Sequence, residues 1–156
     1  MRRTAYVSRL AAAGLIIAAL GISAGAAHGQ EGKKEQPDVT GVWQGQTSAN
    51  CAMTPDRTRC GAVNYITFTL FQHGSEVTGS YKCAYGNLNC RNMNDTGRVV
   101  NAKMGNTLLT MLVMLPDGSS CRFSGQPKGD SIHGGYSCAQ GGARIEQGIW
   151  KAQRSY

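Results

Sequence analysis

Cys121 and Cys138 constrain what this chain can fold into more than any other pair of residues. They stand symmetrically about Gly129-Asp130. If those two residues form a two-residue hairpin turn, all pairs whose numbers sum to 259 face each other across the hairpin, and Cys121 falls opposite Cys138. Counting outward from the turn puts the pair at a non-hydrogen-bonded position, where Cα atoms approach to about 4.5 Å. A disulfide can span that distance. One pair thus fixes a hairpin, its register and an oxidising compartment.

The other four cysteines extend the argument. The chain has 6 in all, and sequential pairing closes three short local loops: Cys51 with Cys60, Cys83 with Cys90, Cys121 with Cys138. A metal site is the rival use of cysteine. It is disfavoured because no spacing is Cys-x-x-Cys and no His lies close by in sequence. No metal or cofactor is expected.

The same turn logic applies elsewhere. Gly74-Ser75 and Gly105-Asn106 are further two-residue turns, and Pro116-Asp117-Gly118 is a longer one. Between the turns, apolar and polar residues alternate with period two. This predicts eight strands, near 40–46, 64–73, 76–82, 96–104, 107–115, 119–126, 131–138 and 144–154. Each hairpin yields one apolar face. In the last, Phe123, Gly125, Ile132, Gly134 and Tyr136 share a face with the two cysteines. In the first, Ile66, Phe68 and Leu70 face Cys83, Tyr81 and Gly79. In the middle one, Val100, Ala102 and Met104 face inward with Thr107, Leu109, Met111 and Val113, and Arg98 joins that face. A slip of one residue would exchange the two faces, so the apolar set marks the core. The prediction is an all-β, eight-stranded antiparallel up-and-down barrel, with a two-sheet sandwich as the alternative.

The N-terminus stands apart from this pattern. Arg2, Arg3 and Arg9 precede an apolar run from Leu10 to Leu20, and small residues follow. Residues 1–29 read as a secretory signal peptide, 30–38 as a disordered lead-in and 39–156 as one domain. No second long apolar stretch occurs, so stable membrane insertion after cleavage is not expected. The full chain carries +7. Setting the three arginines aside leaves 13 basic against 9 acidic residues. The basic residues are scattered, which argues against a nucleic-acid footprint. The expected location is the periplasm or the exterior.

Three segments resemble the calycin superfamily: Thr40-Gly41-Val42-Trp43, Val77-Thr78-Gly79-Ser80-Tyr81, and Ala143-Arg144-Ile145-Glu146-Gln147-Gly148-Ile149-Trp150. The nearest flavour is avidin-like, with lipocalins more distant. The resemblance implies an eight-stranded barrel that binds a small ligand at its open end. It also implies a cation–π contact between Trp43 and Arg154 that closes the barrel, as in lipocalins. The chain departs from both patterns. Trp43 and Trp150 are its only tryptophans, Cys83 stands where avidin-like proteins place a hydroxyl, and the lipocalin Thr-Asp-Tyr motif is missing.

Candidate functional residues follow from the register. Trp43, Phe68, Tyr81, Met111, Phe123, Tyr136 and Trp150 can line or fill the interior. The inward glycines at 79, 125 and 134 could leave space for a ligand or relieve strain in tightly coiled strands. Arg98, if inward, needs an anionic ligand group, a buried carboxylate or an exit to solvent. The loop Cys51–Cys60 carries Met53, Arg57 and Arg59 on a closed ring and could bind an exported protein as an inhibitor loop does. No nucleophile elbow, zinc-binding helix or phosphate loop is present. The sequence therefore favours a carrier of a small apolar or amphipathic ligand, with a protein-interaction module second and an enzyme third.

Overall fold

In the computed structural model, residues 36–55, 57–84 and 96–156 are described. Their alternating pattern forms eight strands: β1 (Gly41–Ala49), β2 (Val63–His73), β3 (Glu76–Ala84), β4 (Thr96–Met104), β5 (Leu109–Met114), β6 (Ser120–Lys128), β7 (Ser131–Gln140) and β8 (Ala143–Ser155). Each strand pairs antiparallel with the next, and β8 pairs with β1, so the sheet closes into a barrel. The two-sheet sandwich is thereby excluded: a closed sheet has no edges. The predicted signal peptide, the first part of the lead-in and Cys90 lie outside the described residues.

Two hairpins have the register that their turns dictate. Lys128 pairs with Ser131 across Gly129-Asp130, and Cys121 meets Cys138. Their Cα atoms are 4.0 Å apart and the sulfurs are bonded. Across Gly74-Ser75, Ile66 pairs with Cys83 and Phe68 with Tyr81. Both turns open on a glycine with positive φ, 60° at Gly74 and 58° at Gly129, the conformation that suits a strand's right-handed twist. The second local bridge, Cys51–Cys60, is also present. Cys83 is disulfide-bonded. These bridges indicate an oxidising environment.

The middle hairpin departs from expectation. Asn101 adopts φ 49° and inserts one extra residue into β4. Val100 pairs with Leu112, but Lys103 pairs with Thr110, and the β3 side of β4 shifts as well. This is a β-bulge, which reverses the alternation on one side of itself. Ala102 and Met104 are buried as expected, but upstream of the bulge the buried residue is Val99, not Val100. Arg98 is accordingly exposed on the outer wall. The turn also lengthens: Gly105 N donates to Leu108 O at 2.8 Å, and Thr107, expected inside, is exposed.

Two further expectations are corrected. The lead-in is ordered from residue 36. Gln36 Nε2 donates to Met104 O, Val39 N donates to Gln72 Oε1 at 2.8 Å, and Val39 is fully buried. The inward glycines mark close packing, not open space. A Cβ at Gly125 would sit 2.7 Å from the Trp150 ring, and one at Gly134 would sit 1.8 Å from Ser124 O. Glycine at these positions lets neighbouring strands and a large ring approach the backbone.

The barrel has two unlike ends. Residues 36–40 and the turns at 74–75, 105–108 and 129–130 gather at one. There Trp43 is fully buried and its Nε1 donates to Val39 O at 2.8 Å. The Arg154 guanidinium lies 4.4 Å from the centre of the Trp43 ring. It also donates to Thr40 O and, at 2.7 Å, to Asp38 O, and it pairs with Asp130 at 3.2 Å. Cation–π contact and hydrogen bonds together hold the entering chain across this end. In mid-barrel, Phe68, Phe123 and Trp150 meet edge to face, with ring centres 5.2 to 5.6 Å apart. Such contacts fill the middle of the barrel with interlocking rings. The other end carries the loop from Cys51 to Cys60 and the turn 115–119.

Candidate functional site

That second end holds a cavity of about 280 Å³ above the aromatic layer. Its floor is Phe123 with Tyr81 and Tyr136. Phe123 and Tyr136 stack at 5.6 Å with planes 19° apart. One wall is sulfur, from Cys83 and the Cys121–Cys138 bridge. The rim is the turn 115–119 and Ile145. Its volume lies at the small end for ligand pockets, roughly the room of nine waters at ~30 Å³ each.

The polar side of this cavity arises from strand phase. β8 points Trp150 and Gly148 inward, so Glu146 follows on the same face. β1 points Trp43 and Gly45 inward, so Thr47 follows. β2 points Phe68 and Ile66 inward, so Asn64 follows. Three polar residues thus lie one step beyond the apolar layer, and all are nearly fully buried. Asn64 Nδ2 donates to Thr47 Oγ1 at 3.3 Å. The Tyr136 hydroxyl donates to Glu146 Oε1. Burial pushes the Tyr136 phenol well above the usual tyrosine value. The Glu146 hydrogen bond and charge act in the same sense, and the Thr47 hydroxyl acts against them. Tyr136 is a neutral donor at all ordinary pH values.

The loop Cys51–Cys60 lies over this end. Thr54 Oγ1 donates to Gln147 O at 3.0 Å, and Gln147 N donates back to it at 3.3 Å. Asn50 N donates to Gln147 O at 2.8 Å. These contacts tie the loop to the start of β8. They bring Arg59, at the end of a short 3-10 turn (Arg57–Arg59), to within 3.6 Å of Glu146 Oε2. That separation is ionic contact, beyond hydrogen-bond length.

The eight interior candidates separate into three groups. Tyr81, Phe123 and Tyr136 line the cavity. Trp43, Phe68, Met111 and Trp150 are packed at 2% exposure or less beneath it, as core. Arg98 is on the outer wall for the reason given above. Of the loop candidates, Met53 and Arg57 face solvent, and Arg57 donates to Cys51 O at 3.0 Å. Arg59 turns inward to Glu146 and so belongs to the cavity, not to an outward partner surface. Glu146, Thr47 and Asn64 were missed. Extending the period-two phase from Trp150, Trp43 and Phe68 finds all three. Among the described residues, no three His, Cys, Asp or Glu side chains converge as metal ligands would. No protein-family model, curated protein or solved structure matches this chain.

Proposed function

We propose that this protein is an exported barrel that non-covalently binds a small amphipathic molecule at its open end. The observation that carries the reading is the composition of the cavity. Aromatic faces form its floor, and polar groups of Glu146, Tyr136, Thr47 and Asn64 sit at one side. A few placed polar groups in an apolar concavity are what small-molecule sites share. The signal-like N-terminus and the disulfides support export to the periplasm or beyond. The eight-strand up-and-down closure and the Trp43–Arg154 contact support a calycin-like reading.

The oxidised protein should take up one equivalent of an environment-sensitive apolar dye. Ile145→Trp, at the cavity rim, should block uptake, and Lys151→Ala on the outer wall should not. Dye binding that ignores Ile145→Trp would place the site elsewhere and end the proposal. A second reading keeps Met53 and Arg57 as a partner-binding edge, since both are exposed on a ring closed by a disulfide. Arg57→Ala should then abolish capture of an exported partner without changing stability.

A further inference from the structure

The ligand class can be narrowed, on the premise that the open-end cavity is the binding site. Glu146 is only 3% exposed, yet its two carboxylate oxygens are unequally served. Oε1 accepts from Tyr136. Oε2 has only the Arg59 guanidinium, at 3.6 Å. A buried carboxylate is costly unless it is both paired and hydrogen-bonded; Oε2 has a protein charge opposite it but no protein hydrogen bond, and its residue lines the cavity. The partner cation also comes from outside the barrel wall. Arg59 sits on a three-residue turn in a loop, and both it and Glu146 line the cavity.

The remaining walls suit a cation with an apolar body. The Phe123 and Tyr136 rings are stacked, and Tyr81 lies 6.3 Å from Phe123. Aromatic faces attract ammonium and guanidinium groups through the ring quadrupole, more strongly when water is excluded. An ammonium at Oε2 would add the missing hydrogen bond, which is short and strong when both partners are charged.

We propose that the cavity takes a small organic cation with an aromatic or aliphatic body, and that the Arg59 guanidinium is an internal stand-in for its charged head. Binding replaces the Arg59–Glu146 ion pair with an ammonium–Glu146 hydrogen bond, and the Arg59 side chain turns away from Glu146 while its loop stays tied to β8. Room for roughly nine water-sized volumes limits the ligand to about ten heavy atoms.

The test uses three probes of nearly equal shape on the full oxidised protein: phenethylammonium, 2-phenylethanol and phenylacetate, titrated by calorimetry. The ammonium should bind about tenfold or more tighter than the alcohol, the ratio a charged hydrogen bond supplies, with the carboxylate weakest. Glu146→Gln should erase the preference for the ammonium over the alcohol. Arg59→Ala should tighten the ammonium, because the competing cation is gone. The three-probe series on the unaltered protein stands even if a variant fails to fold. Equal binding of ammonium and alcohol overturns the cation assignment and leaves the cavity reading intact. So does tightest binding of phenylacetate, which would make Arg59 the recognition group. If none of the three binds, both readings fall.

Discussion

At the closed end, Val39, Trp43 and Leu70 are fully buried and Arg154 clamps the entering chain from outside. At the other end, the same strands carry Thr47, Asn64, Tyr136 and Glu146 inward, and Arg59 reaches in from a loop. The charged group of each end is used differently. Arg154 satisfies backbone carbonyls and a ring face, and its work is structural. Glu146 gives one oxygen to Tyr136 and faces Arg59 with the other on the cavity wall. Apolar layers can be packed to completion, whereas a polar layer is completed only by partners of the right geometry. A barrel with one end of each kind has one apolar, fully packed end and one that carries a polar layer.

The largest expected effect tests whether the middle layer belongs to the closed half. Phe68→Ala should cost about 3–5 kcal/mol in denaturant unfolding. A loss below about 1 kcal/mol would mean that the aromatic layer is part of the cavity. Next, Arg154→Ala should cost about 1–2 kcal/mol and speed amide exchange at Val39 and Trp43 while leaving dye uptake unchanged. Acid should loosen the same corner. The Thr40 amide first, then the Thr40 hydroxyl and the Arg154 charge, hold Asp38 below its ordinary value of 3.8. A depressed folded value gives stability that is present above 3.8 and lost as pH falls through the folded value. Exchange at Val39 should rise in that window, and a flat response would detach Asp38 from the clamp.

The smallest effect at neutral pH belongs to the cavity end. Tyr136→Phe should change stability by no more than about 1–2 kcal/mol. Its signature lies in alkali. The folded phenol is raised, so the unfolded chain releases its proton first, near the ordinary value of 10.0. Stability therefore falls as pH rises beyond that value. The variant should lose that part of the slope, measured as urea midpoints across the range. An unchanged slope would mean that Tyr136 is not held neutral by its surroundings.

The hairpins β2–β3 and β6–β7 were legible because a two-residue glycine turn sets register by counting. β4 was not, because its phase depends on one residue. Asn tolerates left-handed φ better than most side chains, but nothing about Asn101 in sequence says that it will use that freedom. The error then ran through Val100 and Arg98, since a bulge shifts every side chain on one side of it. Glu146 was legible in principle. It lies four residues before Trp150, on the same face. Its link to Arg59 was not, because the loop reaches it through tertiary contacts such as Thr54 with Gln147.

The pairing of β1 with β8 has a consequence for how the barrel forms. Trp43 meets Arg154, and Thr47 meets Trp150, across almost the whole sequence of the domain. All other strand pairs join neighbours in the chain. Loop-closure entropy makes the distant pairing the slowest to arrive. Until then β1 and β8 are unpaired edges, the kind of surface on which chains aggregate. Refolding should therefore be most sensitive to protein concentration in its final phase, and a covalent tether between β1 and β8 should relieve it.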